Sequence, residues 1–283
     1  PKFLRHIRGE LTGKPINLEP WQMFWRANQF GWRREDGTRR FRQWYEEVAR
    51  KNGKSTTLSG IGLHLTAFDG EPGAKVYTGA TKLEQAKITH GDAELMREFS
   101  PGLKRLFKNH RNRLFIEGTA NEFLPLGADA NTLDGLDPHG AIVDELHAHR
   151  TRMLWDVLVS AMGARREPML TAITTAGFNQ HGICYEQRQL LADILEGRLV
   201  NDSVGGVIYT LDDGDDWTDE RLWIKANPNL GVSVKLAYLR EQVLLAKQVI
   251  AQQVNVLTKN LNIWCQQDDR WLDIAGVWDP CNG

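Results

Sequence analysis

Val48-Ala49-Arg50-Lys51-Asn52-Gly53-Lys54-Ser55-Thr56 is the stretch on which the reading of this 283-residue chain turns. It lies between a predicted strand, Gln43–Ala49, and a predicted helix, Lys54–Phe68. Gly53, Lys54 and Ser55 match the end of the phosphate-loop pattern G-x-x-x-x-G-K-[ST], while Val48 stands where the first glycine is usual. Gly53 lets the backbone turn its N–H groups toward an anion, and the following helix presents a positive N-terminus. Lys54 can reach the β- and γ-phosphates as a point charge, and the Ser55 hydroxyl can bind Mg²⁺. Arg50 and Lys51 add positive charge that an ordinary loop would not need.

On either side of this loop, short apolar runs alternate with helix-like stretches, the pattern of an α/β fold with a parallel sheet covered by helices. Strands are expected at Gln43–Ala49, Lys75–Gly79, Arg113–Glu117, Glu122–Leu126, Gly140–Val143, Met169–Thr174 and Val204–Leu211. Helices are expected at Pro20–Gln29, Lys54–Phe68, Leu83–Phe99, Met153–Arg165, His181–Leu195 and Lys235–Val249, the last continuing to about Asn262. The acidic run Asp212-Asp213-Gly214-Asp215-Asp216 reads as a boundary, with residues 1–211 as the core and 212–283 as a small helical linker or lid.

Composition narrows the classes. Hydrophobic residues make up 41% and charged residues 25%, values of an ordinary globular chain, and no apolar stretch is long enough to span a membrane. Three cysteines without a CxxC spacing argue against a disulfide framework or a structural zinc, and for a reducing compartment. The chain opens at Pro1 without Met, so a fragment is expected. The net charge of -1 conceals asymmetry: residues 1–54 carry 13 basic and 6 acidic side chains, residues 97–113 carry 6 and 1, and residues 201–220 carry 7 acidic and no basic ones.

The carboxylates that such a loop needs are found ninety residues downstream of Lys54. Ala141-Ile142-Val143-Asp144-Glu145 is a small apolar strand ending in two acids. In phosphate-loop ATPases an Asp at that place holds the Mg²⁺ water shell, and a neighbouring Glu can polarise the attacking water. Met169 to Gly177 is a further strand leaving through Thr174, Thr175 and Gly177, a place where a hydroxyl can sense the γ-phosphate. Upstream, Trp21-Gln22 follows Glu19-Pro20, and the Gln22 amide can pair with the N6 and N7 edge of adenine. His147 and His149 follow the acids without a third ligand at a persuasive spacing, and are read as loop residues.

Taken in order, Trp21-Gln22, Arg50 to Ser55, Thr78-Gly79-Ala80-Thr81 with Glu84-Gln85-Ala86, Asp134-Gly135-Leu136, Asp144-Glu145 and Thr174-Thr175-Ala176-Gly177 resemble the ATPase domain of terminase large subunits, the DNA-packaging motors of tailed double-stranded DNA bacteriophages. The resemblance covers residues 15–265 and extends to the missing first glycine. It implies a RecA-like P-loop NTPase core with a helical linker or lid. Its cofactors would be ATP and Mg²⁺. Its partners would be double-stranded DNA, the portal protein, the small terminase subunit and further copies of itself in a ring, a pentamer, at the procapsid portal in the host cytoplasm. By the same resemblance Gly53, Lys54, Ser55, Lys51, Asn52 and Thr56 line the ATP phosphates, Arg50 contacts the γ-phosphate, and Ser55 and Asp144 hold the metal. Glu145 activates water, and Thr174, Thr175 and Gly177 couple hydrolysis to movement. Candidates for an arginine acting on a neighbouring subunit are Arg105, Arg111, Arg113, Arg150 and Arg152.

The family's second domain, a metal-dependent nuclease, is expected to be absent, because little chain follows the lid. Asp268, Asp269, Asp273 and Asp279 are accordingly read as linker acids. Two other classes compete. Asp144-Glu145-Leu146-His147 also reads as the DExH box of a superfamily 2 helicase, which would require a second motor domain. A nucleotide-binding assembly module would have no need of an intact general base.

Overall fold

In the computed structural model, residues 3–128 and 135–266 are described. Asp134, Asp268, Asp269, Trp271, Asp273, Trp278, Asp279 and Cys281 lie outside them. The chain divides into two units. One takes in the residues up to Glu47, Gly53–Thr174 and Gly182–Ile208; the other takes in Val48–Asn52, Thr175–His181 and the residues from Tyr209 on.

The first unit is an eight-stranded sheet. Its strands are β1 (Gln43–Glu47), β2 (Lys75–Ala80), β3 (Phe107–Asn109), β4 (Leu114–Ile116), β5 (Glu122–Gly127), β6 (Gly140–Asp144), β7 (Met169–Thr174) and β8 (Val204–Ile208), in spatial order β3-β4-β5-β2-β6-β7-β1-β8. The six strands from β5 to β8 in that order are parallel, and β3 and β4 add an antiparallel edge. Parallel strands need crossovers, and six helices belong to this unit: α1 (Pro20–Gly31), α2 (Lys54–Ala67), α3 (Leu83–Phe99), α4 (Pro101–Leu106), α5 (Met153–Ala161) and α6 (Ile183–Leu195). The apolar runs of β6 and β7 are buried on both faces, as central parallel strands must be.

β1 breaks that pattern, because its Glu46 and Glu47 are fully buried. Each acid has partners. Glu46 accepts from the Trp44 indole at 2.8 Å and pairs with Arg26 of α1. Glu47 accepts from the Tyr45 hydroxyl at 2.6 Å and pairs with Arg188 of α6 at 3.3 Å. Burial raises the Glu46 pKa, and Arg26 opposes the shift.

Helix α2 is pressed hard onto the sheet. A Cβ at Gly62 would sit 2.3 Å from the Phe123 ring of β5, so glycine there sets how closely the helix approaches. At the edge where β2 and β6 begin, Arg39 donates to both oxygens of Asp69 at 2.6 Å, and His139 lies 2.7 Å from the same carboxylate. The basic excess of residues 1–54 is largely answered by acids distant in sequence: Arg8 pairs with Asp92, Arg33 with Glu167, Arg39 with Asp69 and Arg40 with Asp202.

In the second unit, α7 (Leu236–Gln248) and α8 (Ile250–Asn260) enclose a core of Leu211, Trp223, Val234, Leu239, Val243 and Val256. The acidic run is neutralised locally. Lys225 reaches Asp212 at 2.6 Å and Asp215 at 2.7 Å, and Arg240 pairs with Glu220 at 2.7 Å.

Several expected elements differ at their ends. β1 stops at Glu47 instead of Ala49, because Val48 and Ala49 fold with the second unit. β8 stops at Ile208 instead of Leu211, whose side chain joins the helical core. The single helix expected after Lys235 is broken at Val249, which is extended (φ -129°, ψ 101°). β3 and α4 were not expected at all, since three and six residues in a basic run carry no periodic signal.

Burial pulls the Asp69 carboxyl upward, but the hydrogen bond from His139 and the charge of Arg39 outweigh it and hold the group at about 2. Because the folded value lies below the unfolded 3.8, the stabilisation is fully present above about pH 4 and is lost as pH falls toward 2. Asp69→Asn is expected to lower the unfolding free energy by ~3–5 kcal/mol at neutral pH, since it strands a buried guanidinium. Denaturant titrations of both proteins across that pH range should show the difference shrinking as the acid titrates.

Candidate active site

Parallel pairing brings the C-terminal ends of β1, β6 and β7 to one edge of the sheet, with β7 between the other two. Loops leaving such an edge are where α/β sheets bind ligands. Gly53 caps α2 in a left-handed conformation (φ 81°), which glycine adopts without a Cβ clash. The Thr57 hydroxyl donates to the Gly53 carbonyl at 2.9 Å and closes the first turn, which carries Lys54, Ser55 and Thr56. Lys54 is buried, with 8% of its surface exposed.

Facing it is the carboxylate pair at the end of β6. Asp144 Oδ2 accepts from the Thr89 hydroxyl of α3 at 3.0 Å, and Oδ1 accepts from the Glu145 N–H at 2.9 Å. Thr89 is in turn tied to α2, because the Ser59 hydroxyl donates to the Thr89 carbonyl at 2.9 Å and lies 3.0 Å from the Ser55 carbonyl. Burial first, and then the charge of Glu145, push the Asp144 carboxyl up to about 6. The Thr89 hydroxyl, Lys54 and the Glu145 N–H pull the other way without cancelling the shift. Glu145 itself is in the left-handed region (φ 48°, ψ 51°), a costly conformation for a side chain of its kind.

The remaining residues of the expected set fall into separate groups. Gln22 sits in the first turn of α1, where its Oε1 accepts from the Glu19 N–H at 3.1 Å in a capping box. Thr174, the last residue of β7, is fully buried, and its hydroxyl accepts from the His147 N–H at 3.1 Å.

Within the second unit, Arg50 donates its N–H to the Lys259 carbonyl at 2.8 Å, with its side chain exposed. Lys51, another left-handed residue (φ 67°), places its ammonium 3.8 Å from the centre of the Tyr238 ring. The Asn52 side chain donates to Ala49 O at 3.0 Å and to Asn227 Oδ1 at 3.1 Å, and accepts from the Asn229 N–H at 3.0 Å. Thr175 lies 3.2 Å from the Lys259 ammonium, and the Gly177 carbonyl accepts from the Cys265 N–H at 3.2 Å. Val48, in place of the usual first glycine, is wholly buried.

The sequence reading missed Thr89 and Asn52's asparagine partners, Asn227 and Asn229. They belong to no local motif, and only the fold brings them to the loop and the carboxylate. All five candidate arginines are exposed; among them Arg113 pairs with Glu122, and Arg152 with Asp156 and Glu186. Among the described residues no group of three or more His, Cys, Asp or Glu side chains could hold a metal ion. No helix among them is long and apolar enough to cross a membrane.

A family model for the ATPase domain of the terminase large subunit matches residues 20–193. The chain belongs to that family. A second model, for the terminase large subunit endonuclease domain, matches residues 198–282. This corrects the expectation that the nuclease region is absent. The expectation rested on the short length of chain after the lid, whereas the match begins at residue 198, within the residues read as core edge and lid.

Protein YmfN of Escherichia coli (strain K12) is 46% identical over 149 residues, which is 52% of this chain and 32% of that protein. The large terminase of bacteriophage HK97 superposes with a TM-score of 0.80 at 24% identity, covering 93% of this chain and 53% of its own. The large terminase of a thermophilic bacteriophage, solved in complex with ADP, gives a TM-score of 0.56 at 14% identity over 85% of this chain and 52% of its own. The chain thus spans about a third of YmfN and about half of the two terminases. The α/β sheet expected from the strand alternation, and the P-loop NTPase core that the resemblance implied, are the fold these terminases share.

The crowding of Asp144 and Glu145 yields a measurable sign. Without metal, the Asp144 carboxyl followed by ¹³C NMR should titrate near 6. Glu145→Gln removes a like charge and should lower the midpoint, whereas Thr89→Val removes a donor to the ionised form and should raise it.

Proposed function

We infer that the chain is the ATP-hydrolysing motor of a viral terminase large subunit, which drives double-stranded DNA into a procapsid. The observation that carries this reading is the convergence of Lys54, opening α2, with Asp144 and Glu145, closing β6, at one edge of a parallel sheet. Membership of the terminase ATPase family supports it.

In this reading Gly53, Lys54 and Ser55, with Asn52 and Thr56, hold the ATP phosphates. Arg50 contacts the γ-phosphate, Lys51 adds charge, and Gln22 contacts adenine. The Ser55 hydroxyl and the Asp144 carboxylate are hard oxygen donors that suit Mg²⁺, and the like-charge crowding at Asp144 is of the kind a divalent cation relieves. When bound, the ion would neutralise charge on the phosphates. Glu145 orients the attacking water and takes its proton as general base. Thr174, Thr175 and Gly177 carry the outcome away from the site.

The same proposal makes residues 1–211 the motor core and 212–283 a helical lid. It also gives the whole protein an endonuclease activity, on the strength of the second family match. Its partners are double-stranded DNA, the portal protein, the small terminase subunit and further copies of the chain in a pentameric ring, at the procapsid portal in the host cytoplasm.

ATPase activity of the full-length protein should rise when linear DNA and procapsids bearing portal are supplied together. No rise would exclude the packaging-motor reading. Glu145→Ala should keep nucleotide affinity and lose turnover by ~10²-fold or more. Lys54→Ala should lose nucleotide affinity itself, read by titration with a fluorescent ATP analogue.

A further inference from the structure

Near the ends of β6 and β7 stands one imidazole to which the ATPase reading gives no role. His147 lies in the 3₁₀ turn Leu146–Ala148 that follows the carboxylate pair, and its ring is 13% exposed. Its Nδ1 is 3.1 Å from Glu145 Oε2 and 3.0 Å from the Thr174 hydroxyl, and its backbone N–H donates to that same hydroxyl at 3.1 Å. One residue therefore meets the Thr174 hydroxyl twice and sets its ring nitrogen against the Glu145 carboxylate. A histidine that merely filled a surface turn would need none of these contacts.

Thr174 is itself fixed from behind. The Cys184 thiol of α6 lies 3.7 Å from its hydroxyl, and the Tyr45 hydroxyl of β1 lies 3.4 Å from that sulfur. Glu145 is constrained from its other side, because its N–H is held by Asp144 and its carbonyl accepts from the Ala148 N–H at 2.8 Å. The backbone of the acid is thus determined by the turn, but its long side chain has several rotamers and gains a fixed direction only at the carboxylate.

We propose that His147 is a positioning residue for the Glu145 carboxylate, holding it in one orientation relative to the Thr174 hydroxyl at the end of β7. The proposal rests on the reading of Glu145 as the general base. His147 does not touch the nucleotide in this account. It acts through the acid, and it makes the end of β7 and the direction of the base parts of one packed cluster. Without the imidazole the carboxylate samples other rotamers, so the water is less often aligned while ATP binds as before.

The test uses the full chain with Mg-ATP and the variants His147→Ala, His147→Asn, Thr174→Val and the double variant His147→Ala/Thr174→Val. His147→Ala should lower kcat by ~10–100-fold, the scale of a misplaced catalytic group, with KM and the affinity for a fluorescent ATP analogue changed by less than about threefold. His147→Asn, which offers an amide near the position of Nδ1, should recover most of that loss. Thr174→Val should lower kcat to a similar extent, and the double variant should be no slower than the worse single one, as members of one unit are not additive. Wild-type turnover in His147→Ala, equal loss of binding and turnover, or additive losses in the double variant would each overturn the proposal. Absence of hydrolysis in the unmodified chain, with or without DNA and procapsids, would instead remove the ATPase reading beneath it, and the proposal with it.

Discussion

Two carboxylates held against each other at the end of a buried strand are the interaction on which the other features of the site depend. Asp144 is crowded by Glu145 and withdrawn from water, and both effects favour its neutral form. Only a cluster of donors keeps an acid usable there, and each donor comes from a different element: Lys54 from α2, Thr89 from α3 and the Glu145 N–H from the turn itself. The sheet order, the close approach of α2 at Gly62 and the Ser59 link between α2 and α3 are what set those donors in place.

Charge elsewhere in the chain follows the same logic of pairing. The basic N-terminal region and the acidic stretch after residue 201 look in the sequence like patches awaiting external partners. In the fold several of these charges are matched within their own unit, Arg39 with Asp69 under cover and Lys225 with Asp212 and Asp215 at the surface. The exposed pairs contribute little to stability, but they remove much of the field that a ligand would feel.

The parts of the fold legible in the sequence were those with a local signature. A strand, a glycine and a lysine in succession marked the start of α2, and an apolar run ending in two acids marked β6. The hydrophobic alternation located seven of the eight strands to within a few residues. What could not be read depended on distant partners. Thr89 is an ordinary threonine in the middle of a helix until α3, packed on α2, β2 and β5, brings its hydroxyl to Asp144. The loop from Val48 to Asn52 reads as one piece with Gly53 and Lys54, yet its asparagine is anchored by Asn227 and Asn229, some 175 residues later. The nuclease match was missed for a different reason: it overlaps β8 and the helical unit, which read in the sequence as core edge and lid, leaving too little chain for a further domain.

The sulfur behind Thr174 bears on how the protein can be handled. Burial and the nearby Glu47 push the Cys184 thiol up to about 12, so at neutral pH it is almost entirely protonated. Alkylating reagents, maleimide dyes and peroxide all attack the thiolate, and a buried thiol of this kind offers them neither charge nor access. Cys265, which is partly exposed, is the better attachment point for a spectroscopic label. A reporter can thus be placed on the helical unit while the hydrogen bonds at the end of β7 stay chemically intact.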